Sequence, residues 1–270
     1  LIILCFIDRK CEFPTIPRLL RQGADRGRRR RYARRMGDVE IKTSWDGDEA
    51  DHALDVLGLD EDATNERRIY FSEVSVGPDD PLPLNSRGLI LRRRVGKGAD
   101  VTLKLRGPEG CLDLAAWADR VAGWGDAAKL EGDWAGARHL LSASLDRDLN
   151  GADANTPPHS AEDVKAVLSD QQRALAREWM VPLDSLDPLG PVAAQRWKRK
   201  FDGVREKADV ELWRVDQLRF LEVSVRVDRS VAASTQDALT AALATFGLPP
   251  DTTPTTKTEA VLRALMNRRG

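Results

Sequence analysis

The sequence predicts an α+β protein in which short strands curl into a β-barrel and helices pack outside it. The first observation is Asp38-Val39-Glu40-Ile41-Lys42, where charged residues alternate with β-branched apolar ones. On a strand, Asp38, Glu40 and Lys42 share one face while Val39 and Ile41 pack behind them. The second is that this layout returns downstream: Arg92 and Arg94 alternate in Leu91-Arg92-Arg93-Arg94-Val95, Lys104 and Arg106 in Leu103-Lys104-Leu105-Arg106, and Glu222 sits between apolar neighbours near the end. One such strand alone reads as a sheet edge with a solvated side. Several of them make sense together if the sheet closes and turns its charged side inward, around a polar lumen.

The 270 residues, 41% hydrophobic, are enough for one large domain or two modest ones with a true core. The net charge of −1 conceals an uneven distribution. Residues 1–35 hold eleven Lys or Arg against three Asp or Glu, and the remainder is acidic. Because the first methionine is Met36, just ahead of the first strand, residues 1–36 are expected to be a basic leader, disordered or outside the native coding sequence. No secretory signal and no apolar run long enough for a membrane span is present, so a cytoplasmic location and no membrane partner are expected. Three scattered cysteines make no disulfide framework, and Cys111 is expected to be a small core residue. His52, His139 and His159 lack metal-ligand spacing, which argues against zinc. The sequence also lacks GxxxxGK[ST], GxGxxG and GxSxG, which removes P-loop, dinucleotide-binding and α/β-hydrolase readings.

After the first strand, Ala50, Ala53, Leu54 and Leu57 at helical spacing predict a helix over 46–57 that Gly58 ends. A strand is expected over 67–76, broken at Gly77-Pro78. Segments 89–95 and 100–106 around Gly96-Lys97-Gly98 read as an antiparallel hairpin. The middle section, about 111–180, reads as helical, with periodic segments at 112–121 and 133–145 and Trp117, Trp124 and Trp134 as packing residues. Within it, 127–133 is a short strand or a loop that sets Lys129, Glu131 and Asp133 at alternate positions. A polar linker covers 150–158, and Ser160 with Asp163 forms a capping-box start to a further helix. Residues 192–201 are a strand with Arg196 and Lys198 on one face, or a short helix. A strong hairpin follows at 210–215 and 217–227, where Glu222, Ser224 and Arg226 point one way, and two helices close the chain at 234–246 and 258–266. Arg93 and Arg173 are expected on the surface.

A lumen rich in Arg and Lys repels itself unless it surrounds an anion. Phosphate chains suit it, since guanidinium groups grip phosphate oxygens in pairs and lysines act as point charges. Carboxylates among them suit hard, oxygen-seeking Mg²⁺ or Mn²⁺. At this point the residues resemble a known family, the CYTH domains or triphosphate tunnel metalloenzymes. Asp38-Val39-Glu40-Ile41-Lys42 is similar to the family's opening ExExK, with Asp for the first Glu. Arg92/Arg94 resembles its RxR strand and Lys104/Arg106 its KxR strand. Lys129/Glu131/Asp133 is similar to its central acidic pair, the strand from Phe220 to Arg226 to its late ExE strand, and Thr256-Lys257 to its closing Ser-Lys element. The matches run in order over about 37–266.

The resemblance implies an antiparallel eight-stranded β-barrel, a tunnel with helices packed outside, over residues 37–270. It implies a triphosphate-containing small molecule or short polyphosphate bound along the axis with Mg²⁺ or Mn²⁺, and hydrolysis of inorganic or organic triphosphates. By the same resemblance, Glu40, Lys42 and Glu222 are the catalytic candidates. Lys42, Arg92, Arg94, Lys104, Arg106, Arg196 and Lys198 are the substrate-binding candidates, and Asp38, Glu40, Glu131, Asp133 and Glu222 the metal candidates. Two departures matter: Asp38 is shorter than the family's Glu, and Ser224 stands where its second late Glu is expected, removing one charge from the metal site. A non-catalytic polyphosphate or nucleotide-binding module and a class IV-type adenylyl cyclase are the rivals. Nucleic acid is not an expected partner.

Overall fold

Nine strands close into a barrel in the computed structural model, in the order β1-β5-β6-β4-β3-β2-β7-β8-β9 and back to β1. The structure describes residues 38–60, 66–74, 80–110, 112–114, 117, 121, 124, 127–249 and 256–268. The expectations for the leader, for Cys111 and for the break at 77–78 lie outside them, as does much of 112–121. The strands are β1 (Asp38–Asp46), β2 (Arg67–Val74), β3 (Leu89–Gly96), β4 (Asp100–Arg106), β5 (Ala128–Ala135), β6 (Arg138–Asp148), β7 (Leu186–Lys200), β8 (Lys207–Val215) and β9 (Leu218–Asp228). The helices are α1 (Gly47–Val56), α2 (Pro83–Ser86), α3 (Gly151–Asn155), α4 (Ala161–Val167), α5 (Asp170–Glu178), α6 (Ala232–Ala244) and α7 (Lys257–Asn267).

The barrel expected from the alternating strands is present, with two corrections. It has nine strands rather than eight, and it is not wholly antiparallel, because β1 pairs with β5 in parallel. The two facts are one: a closed ring of nine cannot alternate direction all the way round, so at least one neighbouring pair must run the same way. At that seam a Cβ on Gly132 would lie 2.8 Å from the Val39 side chain, so a residue without one lets β5 close against β1.

The second correction concerns the middle section. Residues 128–148 form the β5/β6 hairpin in place of the helix expected over 133–145, whereas Leu114, Trp117 and Val121, the described residues of the first periodic segment, are helical. Apolar Leu141, Ala143 and Leu145 on β6 alternate with buried Ser142 and Ser144. That is the strand period of two, hidden because the inward positions are small enough to pass for a helix face. Residues 192–200 resolve as strand, part of the fifteen-residue β7 that starts ahead of Pro188 and Pro191.

The apolar sides of the strands face outward, under helices. Val39, Ile41, Val223 and Val225 pack beneath α1 and α6 through Ala50, Ala53, Leu239 and Leu243. Leu103, Leu105 and Leu145 pack beneath α4 and α5 with Trp117, Trp124 and Trp179. Ser160 and Asp163 form the expected capping box of α4. Arg93, expected on the surface, is buried against this layer, donating to the carbonyl oxygens of Asp153 at 2.8 Å and Asp163 at 3.4 Å. Its neighbours Arg92 and Arg94 point the other way because strand side chains alternate. With the outer faces used up by helices, the inner faces carry the charge.

A third apolar cluster forms within the barrel end. Ile69, Phe71, Ile90, Val192, Trp213 and Phe220 occupy the inner face, in phase with the charged positions, and α7 packs on them through Val261, Leu262 and Leu265. Burying each of those three aliphatic side chains contributes about 1.5–3 kcal/mol. Among the described residues no helix is long and apolar enough to cross a membrane.

Candidate functional site

Inward-pointing side chains of all nine strands and the start of α7 line one cavity of about 380 Å³. Eleven Lys or Arg against eight Asp or Glu face it, so the lumen is net basic. Strand register sets the layers. Across β1 and β9, Glu40 lies opposite Arg226, Lys42 opposite Ser224 and Ser44 opposite Glu222. Glu222 in turn lies opposite Glu211 on β8, and Glu40 beside Asp133 on β5.

Asp133 is the hub of the middle layer. Its carboxylate meets Lys42 Nζ at 3.1 Å, Lys104 Nζ at 3.5 Å and Arg106 Nε at 3.8 Å. Burial opposes its ionisation, but Lys42, Lys104 and Arg106 together outweigh burial and hold its pKa well below the carboxylate range. Glu40 behaves alike: burial would raise it, yet Lys42 at 2.9 Å dominates and its pKa falls to about 2. Lys42, though buried, is raised above the ordinary lysine value by Asp133 and Glu40. Lys104 is the exception, lowered by burial and by the like charges of Lys42 and Arg106 despite Asp133.

The basic wall opposite is built by β3 and β4. Arg94 pairs with Asp100, its Nε donating at 2.8 Å. Arg92 donates to the Thr102 hydroxyl at 3.2 Å, and its own Nε has no hydrogen-bond partner. Burial and the neighbouring Arg94 lower the Arg92 pKa. A buried guanidinium short of acceptors is a donor set prepared for an anion.

Beneath it, Lys257 at the first turn of α7 reaches Glu222 at 2.9 Å and Glu211 at 3.5 Å, and stands 4.0 Å from the centre of the Trp213 ring. Arg106 also donates to the Thr256 hydroxyl at 3.4 Å. Burial raises the Glu211 pKa, but Lys257 and Arg92 outweigh it, and the carboxylate is held below its usual range.

Of the residues singled out in sequence, Glu40, Lys42, Arg92, Arg94, Lys104, Arg106, Glu131, Asp133, Arg196 and Glu222 all line this cavity. Asp38 and Lys198 do not. Asp38 begins β1 and is exposed beyond the rim. Lys198 reaches Asp209 at 2.7 Å from the outer end of β7, while Arg196 meets the same carboxylate at 2.6 Å from within. The reading of the sequence passed over Glu211 and Asp209. Asp209-Val210-Glu211-Leu212 has the alternation of the opening strand, and attention to its apolar members hid its acids.

No protein-family profile matches the chain, and no curated protein matches it in sequence. Solved structures do match in shape. A candidate adenylate cyclase from Bacillus halodurans aligns at 15% identity with a TM-score of 0.51, over 83% of this chain and 98% of that one. HpAC1 from Hippeastrum, a candidate adenylyl cyclase with a dominant triphosphatase activity, aligns at 16% identity with a TM-score of 0.51, over 85% and 96%. The chain shares the fold of these two proteins.

Within this tunnel the oxygen donors bear directly on the metal expected from the resemblance. Among the described residues, no three carboxylate, imidazole or thiol groups converge as a metal cage. Mg²⁺, however, keeps several waters and commonly takes one or two carboxylates plus phosphate oxygens. Glu211 and Glu222 fit that lesser demand: they are register partners, and the second oxygen of Glu222 faces the Ser44 hydroxyl at 3.4 Å. Glu211 and Glu222 would thus supply two ligands, the number of carboxylates Mg²⁺ commonly takes.

Proposed function

We propose that the tunnel binds a triphosphate and hydrolyses it with a divalent cation. The observation that carries this reading is the convergence of Lys42, Arg92, Arg94, Lys104, Arg106 and Lys257 on one net-basic cavity. Those cations come from three strands and a helix, so the grip exists only in the folded chain. Phosphoryl transfer asks little covalent work of a protein and is promoted by positioning and charge neutralisation. In this reading Arg92 and Arg94 hold the phosphate chain, while Lys104 and Arg106 meet it from the neighbouring strand. Lys42 gives its charge to the phosphoryl oxygens. Glu40, kept ionised, accepts a hydrogen bond from the attacking water and orients it in line with the leaving oxygen. Glu211 and Glu222 would hold Mg²⁺ or Mn²⁺, which when bound neutralises phosphate charge.

The test is phosphate release from inorganic triphosphate, ATP and thiamine triphosphate with Mg²⁺ or Mn²⁺ varied. Metal-dependent release that collapses in Glu40→Ala is expected; release no greater than in that variant would refute the reading. Conversion of ATP to cyclic AMP and pyrophosphate would make the reaction cyclisation instead.

A second reading, a tunnel that binds without turning over, is favoured by Ser224, which is buried between Lys42 and Asp209 where a further carboxylate would complete a metal site. Tight triphosphate binding by calorimetry with no phosphate release would select it.

A further inference from the structure

Arg226 differs from the other cations of the tunnel in what surrounds it. It sits on β9 at the charged end of the barrel, 50% exposed, with one guanidinium nitrogen 3.4 Å from Glu131 and 3.6 Å from Glu40. Register explains the placement. Glu40 lies directly opposite Arg226 on β1, and Glu131 lies two residues outward from Asp133 on β5, the other neighbour of β1. Asp38, two residues outward from Glu40, adds a third negative charge acting on the same guanidinium.

Two carboxylates, Glu40 and Glu131, turned toward one position repel each other. Such a set is ordinarily resolved by a divalent cation, for which hard oxygen ligands are the natural partners. Here the chain brings its own positive charge to that position. A guanidinium suits the task because it does not lose its proton and its planar fork can address carboxylates on two different strands. The distances of 3.4 and 3.6 Å are those of charge attraction rather than of short hydrogen bonds, so the group lies between the acids without being locked to either.

We propose that Arg226 is a tethered cation that takes the place of a divalent ion between Glu40 and Glu131. Glu40 and Glu131 then serve to hold Arg226 at the rim, and the demand for metal is confined to Glu211 and Glu222. The role of Ser224 follows. A carboxylate there would extend the acid cluster toward a second metal, and with Arg226 in place none is needed.

The inference takes its purpose from the triphosphate reading, but its test contains no triphosphate, so the two fail separately. Mn²⁺ alone is titrated into the full chain and followed by electron paramagnetic resonance. In the parent protein, Glu131→Gln leaves Mn²⁺ binding unchanged. Arg226→Gln gains a binding site at least about tenfold tighter than anything in the parent, because Glu40 and Glu131 are released to one hard cation. Adding Glu131→Gln to that variant abolishes the gain, and Arg226→Lys, which keeps a cation, shows none. Circular dichroism checks the fold of each variant. If Glu131→Gln weakens Mn²⁺ binding in the parent, an ion already competes for the position and the proposal is wrong. It is equally wrong if a folded Arg226→Gln gains nothing, or if Arg226→Lys gains as much as Arg226→Gln.

Discussion

The two ends of the barrel are made from the same strands by the same alternation, yet they do opposite things. At one end β1, β5 and β9 present Glu40, Glu131 and Arg226, with Arg226 half exposed to solvent. At the other, the inner positions of β2, β3, β8 and β9 become Phe71, Ile90, Trp213 and Phe220, and α7 is packed on them. Lys257, where α7 meets the charged half, is only 7% exposed. The charged end carries repulsions that a ligand can relieve, and the apolar end supplies stability that does not depend on one. The difference teaches that a polar lumen needs a hydrophobic anchor on the same inner face, since its charged layers by themselves favour opening.

Five measurements break or sharpen that contrast. The largest effect is expected from Asp133→Asn, which leaves Lys42, Lys104 and Arg106 without their shared acid; losing one member of a buried ionic set costs about 3–5 kcal/mol. Urea unfolding should show that loss, and triphosphate should restore more stability to the variant than to the parent, because the anion substitutes for the carboxylate. Leu262→Ala, at the apolar end, should destabilise by about 2–5 kcal/mol. That loss should be recovered by triphosphate no more than in the parent, and preferential rescue would mean that the two ends are not separable. Arg92→Ala should weaken triphosphate binding by about 1.5–3 kcal/mol, the usual range for a hydrogen bond to a charged group, with little change in stability. Calorimetry with inorganic triphosphate checks it.

Acid tests the charged end alone. Burial would raise the Glu40 pKa, but Lys42 lowers it from 4.5 to about 2. A carboxylate with a depressed pKa in the folded state contributes stability that is complete above its unfolded value and is lost as pH falls through the folded one. Stability should therefore decline from about pH 4.5 toward 2, and Glu40→Gln should flatten that slope in an acid titration followed by circular dichroism. The smallest effect belongs to Lys198→Ala. It removes a half-exposed pair with Asp209 and should change stability by no more than about 1 kcal/mol.

The charged strands were legible because period-two alternation is local, and a run such as Asp38 to Lys42 shows both of its faces within five residues. The β3/β4 hairpin and α1 were legible for the same reason. The β5/β6 hairpin was not, since Ser142 and Ser144 are neither charged nor large and leave the inner face without a signature. Arg93 looked like any arginine of a charged run, and only the docking of α3 and α4 shows why it is buried. Glu211 and Asp209 were in view but carried no weight until β8 lay beside β9.

The sequence by itself determined that alternate residues of several strands are charged toward one side, that these strands must surround something polar, and that Lys42, Arg92, Arg94, Lys104 and Arg106 are the cations there. Those conclusions rest on covalent geometry, which forces neighbouring side chains to opposite faces. Tertiary structure alone decided the count of nine, the parallel seam between β1 and β5, the packing of α7 into the lumen and the meeting of Arg226 with Glu40 and Glu131. Each of these depends on which strands become neighbours and in what register. That choice is made by the energy of closing the whole sheet and burying its outer face, and no window of adjacent residues contains it.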